Sequence, residues 1–371
     1  MASTHRRIAL IAPPWYPVPP VGYGGTELVV GLLTEALRAQ GHEVELFAAE
    51  GSALASRHLA PRHWDTALGG SEERIRDLTY AGRVLSLIDR LGPFDVIHDH
   101  SGGGTLLGLA LQPPPAPVLH TVHAALDEPT RTFLESLVPD RVRLIAISEA
   151  QRLSVAHLPW IATVHNAVDL AALRVGQREG KETYLLSLAR ICAAKGQHLA
   201  IEAARRAGRR LVLAGKIEAT PEGAEYYERQ IAPAVDGDQV TYLGDVSGEE
   251  KTRLLATASA LLAPLQWDEP FGLSMAEAMA SGTPVIAFPR GAAPELITPG
   301  KTGFLVADVE EMARAVAQAD RVDPEQCAAH ARAQFDPRRM ADRYLRVYER
   351  AIAEWATPTS STASATEPAI A

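Results

Sequence analysis

The sequence predicts an α/β protein of two doubly wound, Rossmann-like domains that face a central cleft. Its 371 residues suit about two domains of ~150 residues each. Short apolar runs alternate with longer segments of helical periodicity, which favours parallel sheets with right-handed crossovers. The alternation occurs twice, on either side of a polar, glycine-containing stretch near residues 170–182. Ligands bind at the carboxyl ends of the strands in such sheets, so we expect a site in the cleft.

The first half supplies one well-marked helix and six strand candidates. Residues 26–40 carry apolar side chains at the spacing of one helical face, and Gly41 is expected to end this helix. The strand candidates are Arg7–Ala12, Glu43–Ala48, Asp95–His98, Pro117–Val122, Arg143–Ile147 and Ala162–His165.

The second half repeats the scheme, with strand candidates at 183–188, 210–214, 239–243, 260–263 and 284–288. We therefore expect an N-terminal domain over residues 1–170 and a C-terminal domain over 171–336. A last helix at 337–355 is expected to cross back to the first domain. Residues 356–371, rich in Ala, Ser, Thr and Pro, predict a disordered tail.

Composition excludes several classes of protein. A net charge of −9 disfavours nucleic-acid binding. Apolar runs fall well short of the ~20 residues of a membrane-spanning helix, and the first apolar stretch is followed at once by two prolines, which indicates a strand and not a signal peptide. The two cysteines provide no disulfide framework. We expect a cytoplasmic protein.

The first candidate element is the loop PPWYPVPPVGYGG at residues 13–25. Gly24 and Gly25 allow a ligand to approach the backbone, and the following helix offers free N–H groups at its start. A diphosphate suits this place. The loop lacks both the full G-x-G-x-x-G pattern and the acidic residue of a dinucleotide site, so a plain strand-to-helix turn is the alternative.

Arg190 and Lys195 follow the strand candidate at 183–188, at its carboxyl end. Arginine presents a rigid fork to phosphate oxygens and lysine a mobile point charge, so the pair is suited to one pyrophosphate. The alternative is two solvated surface cations. Their position at a strand end favours the binding role.

The strongest signal is DEPFGLSMAEAM at residues 268–279, where Glu269 and Glu277 are eight positions apart. Glu269 is expected in a loop, and Glu277 in the first turns of a helix that begins near Ser274. Carboxylates accept hydrogen bonds from hydroxyl groups, which suits a sugar ring and a ribose. Paired carboxylates also suggest acid/base chemistry on glycosides. Surface carboxylates near a helix dipole are the structural alternative.

Histidines follow two adjacent strand candidates. His120 and His123 lie at the end of the candidate Pro117–Val122, and His98 and His100 lie at the end of the neighbouring candidate Asp95–His98. Histidine can bind sugar hydroxyls or move a proton. The sequence has no helical His-Glu-x-x-His and no cysteine cluster, so we expect no metal site. A buried, hydrogen-bonded histidine is the alternative for His98.

Taken together, these residues resemble glycosyltransferase family 4, whose members are retaining enzymes of the GT-B fold that use activated sugars. The resemblance covers the chain to about residue 355. One motif departs from the family, because Ala167 replaces its usual glycine. The residues that carry the resemblance are Gly24-Gly25, His123, Ser148-Glu149, Asn166-Ala167-Val168-Asp169, Arg190, Lys195, Glu269-Pro270-Phe271-Gly272 and Glu277.

The resemblance implies a role for each matching residue. Arg190 and Lys195 would hold the diphosphate, Glu277 the ribose, and Glu269 the hydroxyls of the donor sugar. The backbone from Phe271 through Gly272 to Leu273 would assist Glu269. Gly24 and Gly25 would approach the phosphate and His123 the sugar. The base would lie near Lys216 and Val246.

The expected reaction is the transfer of a hexose from a nucleotide-diphosphate sugar to a hydroxyl acceptor with retained configuration. A UDP-sugar is the favoured donor and a GDP-sugar the next, and neither a cofactor nor a metal is expected. The alternatives are a nucleotide-sugar-binding protein, an epimerase-like enzyme of the same fold, and a nicotinamide-dependent oxidoreductase. The acceptor is expected to be soluble and to lie on the first domain near Tyr16, Tyr23 and His100.

Overall fold

The computed structural model describes residues 5–22, 24–60, 71–137 and 141–356. Within them the chain forms two separate sheets, each made entirely of parallel strands. No helix in this part of the chain is long and apolar enough to cross a membrane.

The first sheet contains seven strands of the N-terminal half. They are β1 (Arg7–Ile11), β2 (Glu43–Ala49), β3 (Arg57–Ala60), β4 (Val96–Asp99), β5 (Val118–Val122), β6 (Val142–Ala146) and β7 (Trp160–Thr163). Their order across the sheet is β3-β2-β1-β4-β5-β6-β7, so the winding reverses between β1 and β4. Such a reversal opens a crevice at the carboxyl ends of the strands.

The second sheet contains six strands. They are β8 (Leu185–Leu188), β9 (Leu211–Ala214), β10 (Val240–Tyr242), β11 (Ala260–Ala263), β12 (Val285–Ala287) and β13 (Gly303–Leu305). Their order is β10-β9-β8-β11-β12-β13, with the reversal between β8 and β11. The two sheets confirm the predicted α/β class and its Rossmann-like, doubly wound topology.

Helices cover both faces of both sheets, so the strands between them are largely buried. In the first half they are α1 (Gly25–Ala39), α2 (Ser71–Leu91), α3 (Gly103–Leu111), α4 (Glu128–Glu135) and α5 (Glu149–Ser154). In the second half they are α6 (Gln197–Arg206), α7 (Pro221–Tyr226), α8 (Gly248–Thr257), α9 (Leu273–Ala280), α10 (Ala293–Leu296), α11 (Val309–Ala319), α12 (Pro324–Gln334) and α13 (Pro337–Ala356).

The last helix, α13, packs against the first sheet and not the second. Its buried Tyr344 and Tyr348 share an apolar core with β1 and α1. The hydroxyl of Tyr348 is 2.7 Å from Nδ1 of His98, and Nε2 of His98 is 2.8 Å from Oγ1 of Thr121. His98, near the carboxyl end of β4, is therefore a buried, hydrogen-bonded residue, as the structural alternative for it predicted.

Glu295 of α10 joins the second half to the start of α5. Its carboxylate accepts hydrogen bonds from the backbone N–H groups of Glu149 and Ala150, at 2.8 and 2.7 Å. Nε2 of His165 lies 3.0 Å from the same carboxylate. A carboxylate at a helix N-terminus is electrostatically favourable, so this contact helps to hold the two sheets across the cleft.

The structure differs from the elements predicted from the sequence at four places. Strand β3 was missed because its exposed Arg57 and His58 leave no apolar run, and β13 because it begins with glycine. At Gly303, φ is +156° and a Cβ would lie 1.9 Å from the carbonyl oxygen of Val285. Strand β7 precedes the predicted segment by two residues. Ala356 ends α13 instead of belonging to the tail, and residues 357–371 lie outside the described residues.

Candidate active site

A cavity of about 550 Å³ lies between the carboxyl ends of the two sheets. All of the residues predicted to act in catalysis or donor binding line it. They are Gly24, Gly25, His123, Arg190, Lys195, Lys216, Val246, Glu269, Phe271, Gly272, Leu273 and Glu277. The two halves of the chain thus contribute to one site.

The glycine loop brings the start of α1 to this cavity. Gly24 has φ +141°, and a Cβ there would come within 2.8 Å of Pro20. A Cβ on Gly25 would lie 2.9 Å from Cδ1 of Leu273, at the start of α9. No side chain caps α1, so its first N–H groups are available to an anion in the cavity.

Four cations from the second half line the cavity, and each is paired with a carboxylate. The pairs are Arg190–Glu218 at 2.8 Å, Lys195–Glu269, Lys216–Asp245 at 3.5 Å and Lys251–Glu277 at 2.7 Å. Sequence reasoning missed Glu218 and Lys251. Lys251 lines the cavity itself, and Glu218 reaches it through its ion pair with Arg190.

Glu269 is held by three contacts in the loop before α9. Its Oε2 forms an ion pair with Nζ of Lys195 and accepts a hydrogen bond from Nε1 of Trp267 at 3.0 Å. Its carbonyl oxygen accepts the N–H of Ala292 at 2.9 Å. Nζ of Lys195 also lies 4.9 Å from the centre of the Trp267 ring. The protein's own groups therefore fix the position of this carboxylate. Trp267 is a further residue that the sequence analysis did not single out.

Glu277 lies on α9 and is 5% exposed. Its Oε1 is 2.7 Å from Nζ of Lys251 on the facing helix α8. The side chain of Glu269 is 12% exposed. The alternative that these are ordinary surface carboxylates is therefore wrong.

His123 follows β5 and lies where this cavity meets a second one. Its Nε2 is 2.8 Å from Nδ1 of His100. Burial lowers the pKa of His123 to about 3, so the ring is neutral near pH 7 and acts as a hydrogen-bond partner.

Asn166 also lines this first cavity, hereafter the donor cavity. The sequence analysis gave this residue no role in the site. The residue is 4% exposed, and its Oδ1 has no hydrogen-bond partner among the described residues. A buried amide oxygen without a partner is costly. It is therefore available to a ligand hydroxyl or N–H group.

The second cavity, of about 800 Å³, is lined by residues of the first half of the chain and by Arg190 of the second. Tyr16 and His100, two of the residues assigned to the acceptor region, line it, and so does His123. Tyr23 lies outside the described residues. Among the described residues, no group of three histidine, cysteine or acidic side chains could hold a metal ion.

Glu27 of α1 is buried and lines the second cavity, and burial raises its pKa from 4.5 to about 7. The folded state therefore keeps a proton that the unfolded chain loses. This contribution to stability is complete below pH 4.5 and is lost as the pH rises to 7.

We expect Glu27→Gln to remove this pH dependence. Relative to the natural protein, the variant should gain about 3 kcal/mol in free energy of unfolding between pH 4.5 and 8. Denaturant titrations at both pH values measure it, with exposed Glu35 of the same helix changed to Gln as the control. An equal pH dependence in natural protein and variant would contradict the assignment.

Family models match both halves of the chain. One described as Glycosyltransferase Family 4 matches residues 23–172, and one described as Glycosyl transferases group 1 matches residues 171–333. The D-inositol 3-phosphate glycosyltransferase of Mycobacterium avium (strain 104) is 31% identical over 309 residues, which is 72% of each chain.

Solved structures of this class have the same fold. AviGT4, a glycosyltransferase involved in avilamycin A biosynthesis, is 28% identical with a TM-score of 0.69, over 94% of this chain and 98% of that one. Anabaena HepE, solved in complex with UDP and glucose, is 19% identical with a TM-score of 0.70, over 93% and 100%. The architecture is therefore GT-B.

Proposed function

Because this chain belongs to the glycosyltransferases of family 4 and group 1, we propose that it moves a hexose from a nucleotide-diphosphate sugar to a hydroxyl acceptor. The observation that carries the proposal is the paired Lys195 and Glu269 in a cavity shared by both sheets. A UDP-sugar is the favoured donor, with a GDP-sugar next. The UDP and glucose of the HepE complex support this order.

The leaving diphosphate would be held by Arg190, Lys195 and the N-terminus of α1. These groups line the same cavity and are fixed before the reaction, so they can stabilise negative charge without reorganising. This supports a transfer that needs neither metal nor cofactor. Glu277 would accept hydrogen bonds from the ribose hydroxyls.

The sugar would lie between Glu269 and His123, which face the same cavity. Glu269 accepts hydroxyl hydrogen bonds and positions the ring, and neutral His123 contacts another hydroxyl. In the retaining reaction the bond from C1 to the diphosphate breaks as the acceptor oxygen bonds to C1 from the same face. The acceptor's proton passes to an oxygen of the leaving phosphate.

The donor can be identified by thermal shift with UDP-, GDP-, ADP- and dTDP-sugars in the presence of EDTA. A ligand that binds only the folded state raises the melting temperature. We expect the largest rise with a UDP-sugar, and release of the nucleotide from that donor alone. No shift with any donor would contradict the proposal. Binding with an isomerised sugar and no transfer would instead favour the epimerase-like alternative.

We also propose a cytoplasmic location and a water-soluble acceptor. The two cysteines, Cys192 and Cys327, are buried and free, which suits a reducing compartment.

A further inference from the structure

From the second cavity we infer that the acceptor is an uncharged polyhydroxylated molecule with an apolar face, and that phosphorylated or carboxylated acceptors are rejected. This inference rests on the proposed function and names the substrate class of the same site. It depends on how charge and hydrogen-bonding groups are arranged in the cavity of about 800 Å³ next to the donor site.

The start of α3, which borders this cavity, already has carboxylates of its own. The carboxylate of Asp99 accepts the N–H groups of Ser101 and Gly102, at 3.1 and 3.0 Å, just before α3. Asp77 accepts the N–H of Gly104, in the first turn of α3, at 2.7 Å. A helix start is an anion site only while its N–H groups are available, so α3 has little to offer an incoming phosphate.

The start of α4 follows the same pattern, whereas the N–H groups at the start of α1 would be occupied by the diphosphate of the donor. Asp127 caps α4 by accepting the N–H of Thr130 at 3.0 Å. Glu27 is buried in the first turn of α1, on the side of the helix that lines the second cavity. A second anion beside Glu27 would meet electrostatic repulsion or require the carboxyl to stay protonated.

The remaining charges in the lining also disfavour an anion. Glu73 contributes another carboxylate. Among the described lining residues the only arginine or lysine is Arg190, which is shared with the donor cavity and paired with Glu218. Burial lowers the pKa of His100 well below its usual range, and that of His123 to about 3. Neither ring therefore supplies a positive charge near pH 7. The third histidine of the lining, His120, is already paired with the carboxylate of Asp99 at 2.8 Å.

The other groups that line the second cavity are suited to bind the hydroxyl groups and the apolar face of an uncharged acceptor. Nε2 of His100 is buried without a hydrogen-bond partner among the described residues, while its Nδ1 is 2.8 Å from Nε2 of His123. A hydroxyl can satisfy this nitrogen in either tautomer, since it both donates and accepts. Trp15, Tyr16 and Phe133 line the same cavity, and aromatic rings pack well against the C–H faces of a polyol.

The test uses matched probes on protein saturated with UDP, which fills the donor cavity. The probes are 4-nitrophenyl hexosides with their 6-phosphates, and myo-inositol with its 3-phosphate. Calorimetry should show at least one uncharged probe binding, with its phosphorylated partner weaker by about tenfold or more. A phosphorylated probe that binds as tightly as its partner, or no binding by any uncharged probe, would overturn the inference.

A charge-reversal variant tests whether the weaker binding of phosphorylated probes arises in the second cavity. Glu73→Lys should tighten the binding of the phosphorylated probes, while Glu72→Lys should not. Glu72 is an exposed neighbour paired with Arg76 and does not line the cavity. Equal effects of both variants would overturn the inference. If the proposed function is wrong, UDP will show no saturable binding, which is a separate observation. The variants Glu73→Lys and Glu72→Lys are then compared on UDP-free protein.

Discussion

Glu269→Gln is expected to lower the kcat of sugar transfer by about 10²-fold, because the sugar ring is less precisely positioned, without weakening UDP binding. Glutamine has the same size and can still accept the hydrogen bond from Trp267, so the loop should keep its shape. It cannot pair ionically with Lys195. The freed ammonium group can then turn fully to the diphosphate, and UDP affinity should stay equal or increase.

Single-turnover transfer and UDP calorimetry measure the two effects separately. Glu250→Gln, an exposed position on α8, removes the same charge and should change neither. A parallel loss of UDP affinity and kcat in Glu269→Gln would show that Glu269 acts on the nucleotide and not on the sugar.

Lys195→Ala is expected to weaken both transfer and UDP binding. Removal of one preorganised donor to a developing anion costs about 10²–10³-fold in kcat. A lost hydrogen bond to a charged group costs about 1.5–3 kcal/mol, or roughly 10–100-fold in UDP affinity. The variant also leaves Glu269 without its cation, so the carboxylate would repel the diphosphate.

The two variants should therefore move UDP affinity in different directions, although both slow transfer. The control for Lys195→Ala is Lys301→Ala, an exposed lysine in the turn before β13. UDP affinity that is unchanged in Lys195→Ala would contradict the placement of the diphosphate.

The sequence predicted the fold well because its periodic signals are long. The helix predicted at 26–40 and the strand predicted at 117–122 differ from α1 and β5 by one residue at most at each end. The candidate residues converge on one cavity because parallel strands share one carboxyl edge, as the positions of His123 and Arg190 show. The edge strand β3 was missed because its pattern is short and polar.

The partners of the candidate residues could not be predicted in the same way. Lys251 is 26 residues from Glu277, and Glu218 is 28 residues from Arg190. No local pattern links such pairs, which depend on how helices and loops pack against the second sheet. Trp267, by contrast, is two residues from Glu269 and could have been inferred from the loop.

Transfer with retained configuration and without metal is tested most directly by an NMR time course of UDP-α-glucose in EDTA, with water as the acceptor. We expect release of UDP with α-glucose as the first product, ahead of mutarotation, and loss of this signal in Glu269→Gln. First appearance of β-glucose would contradict retention. Absence of nucleotide release from UDP-, GDP-, ADP- and dTDP-sugars alike would contradict the transferase mechanism itself.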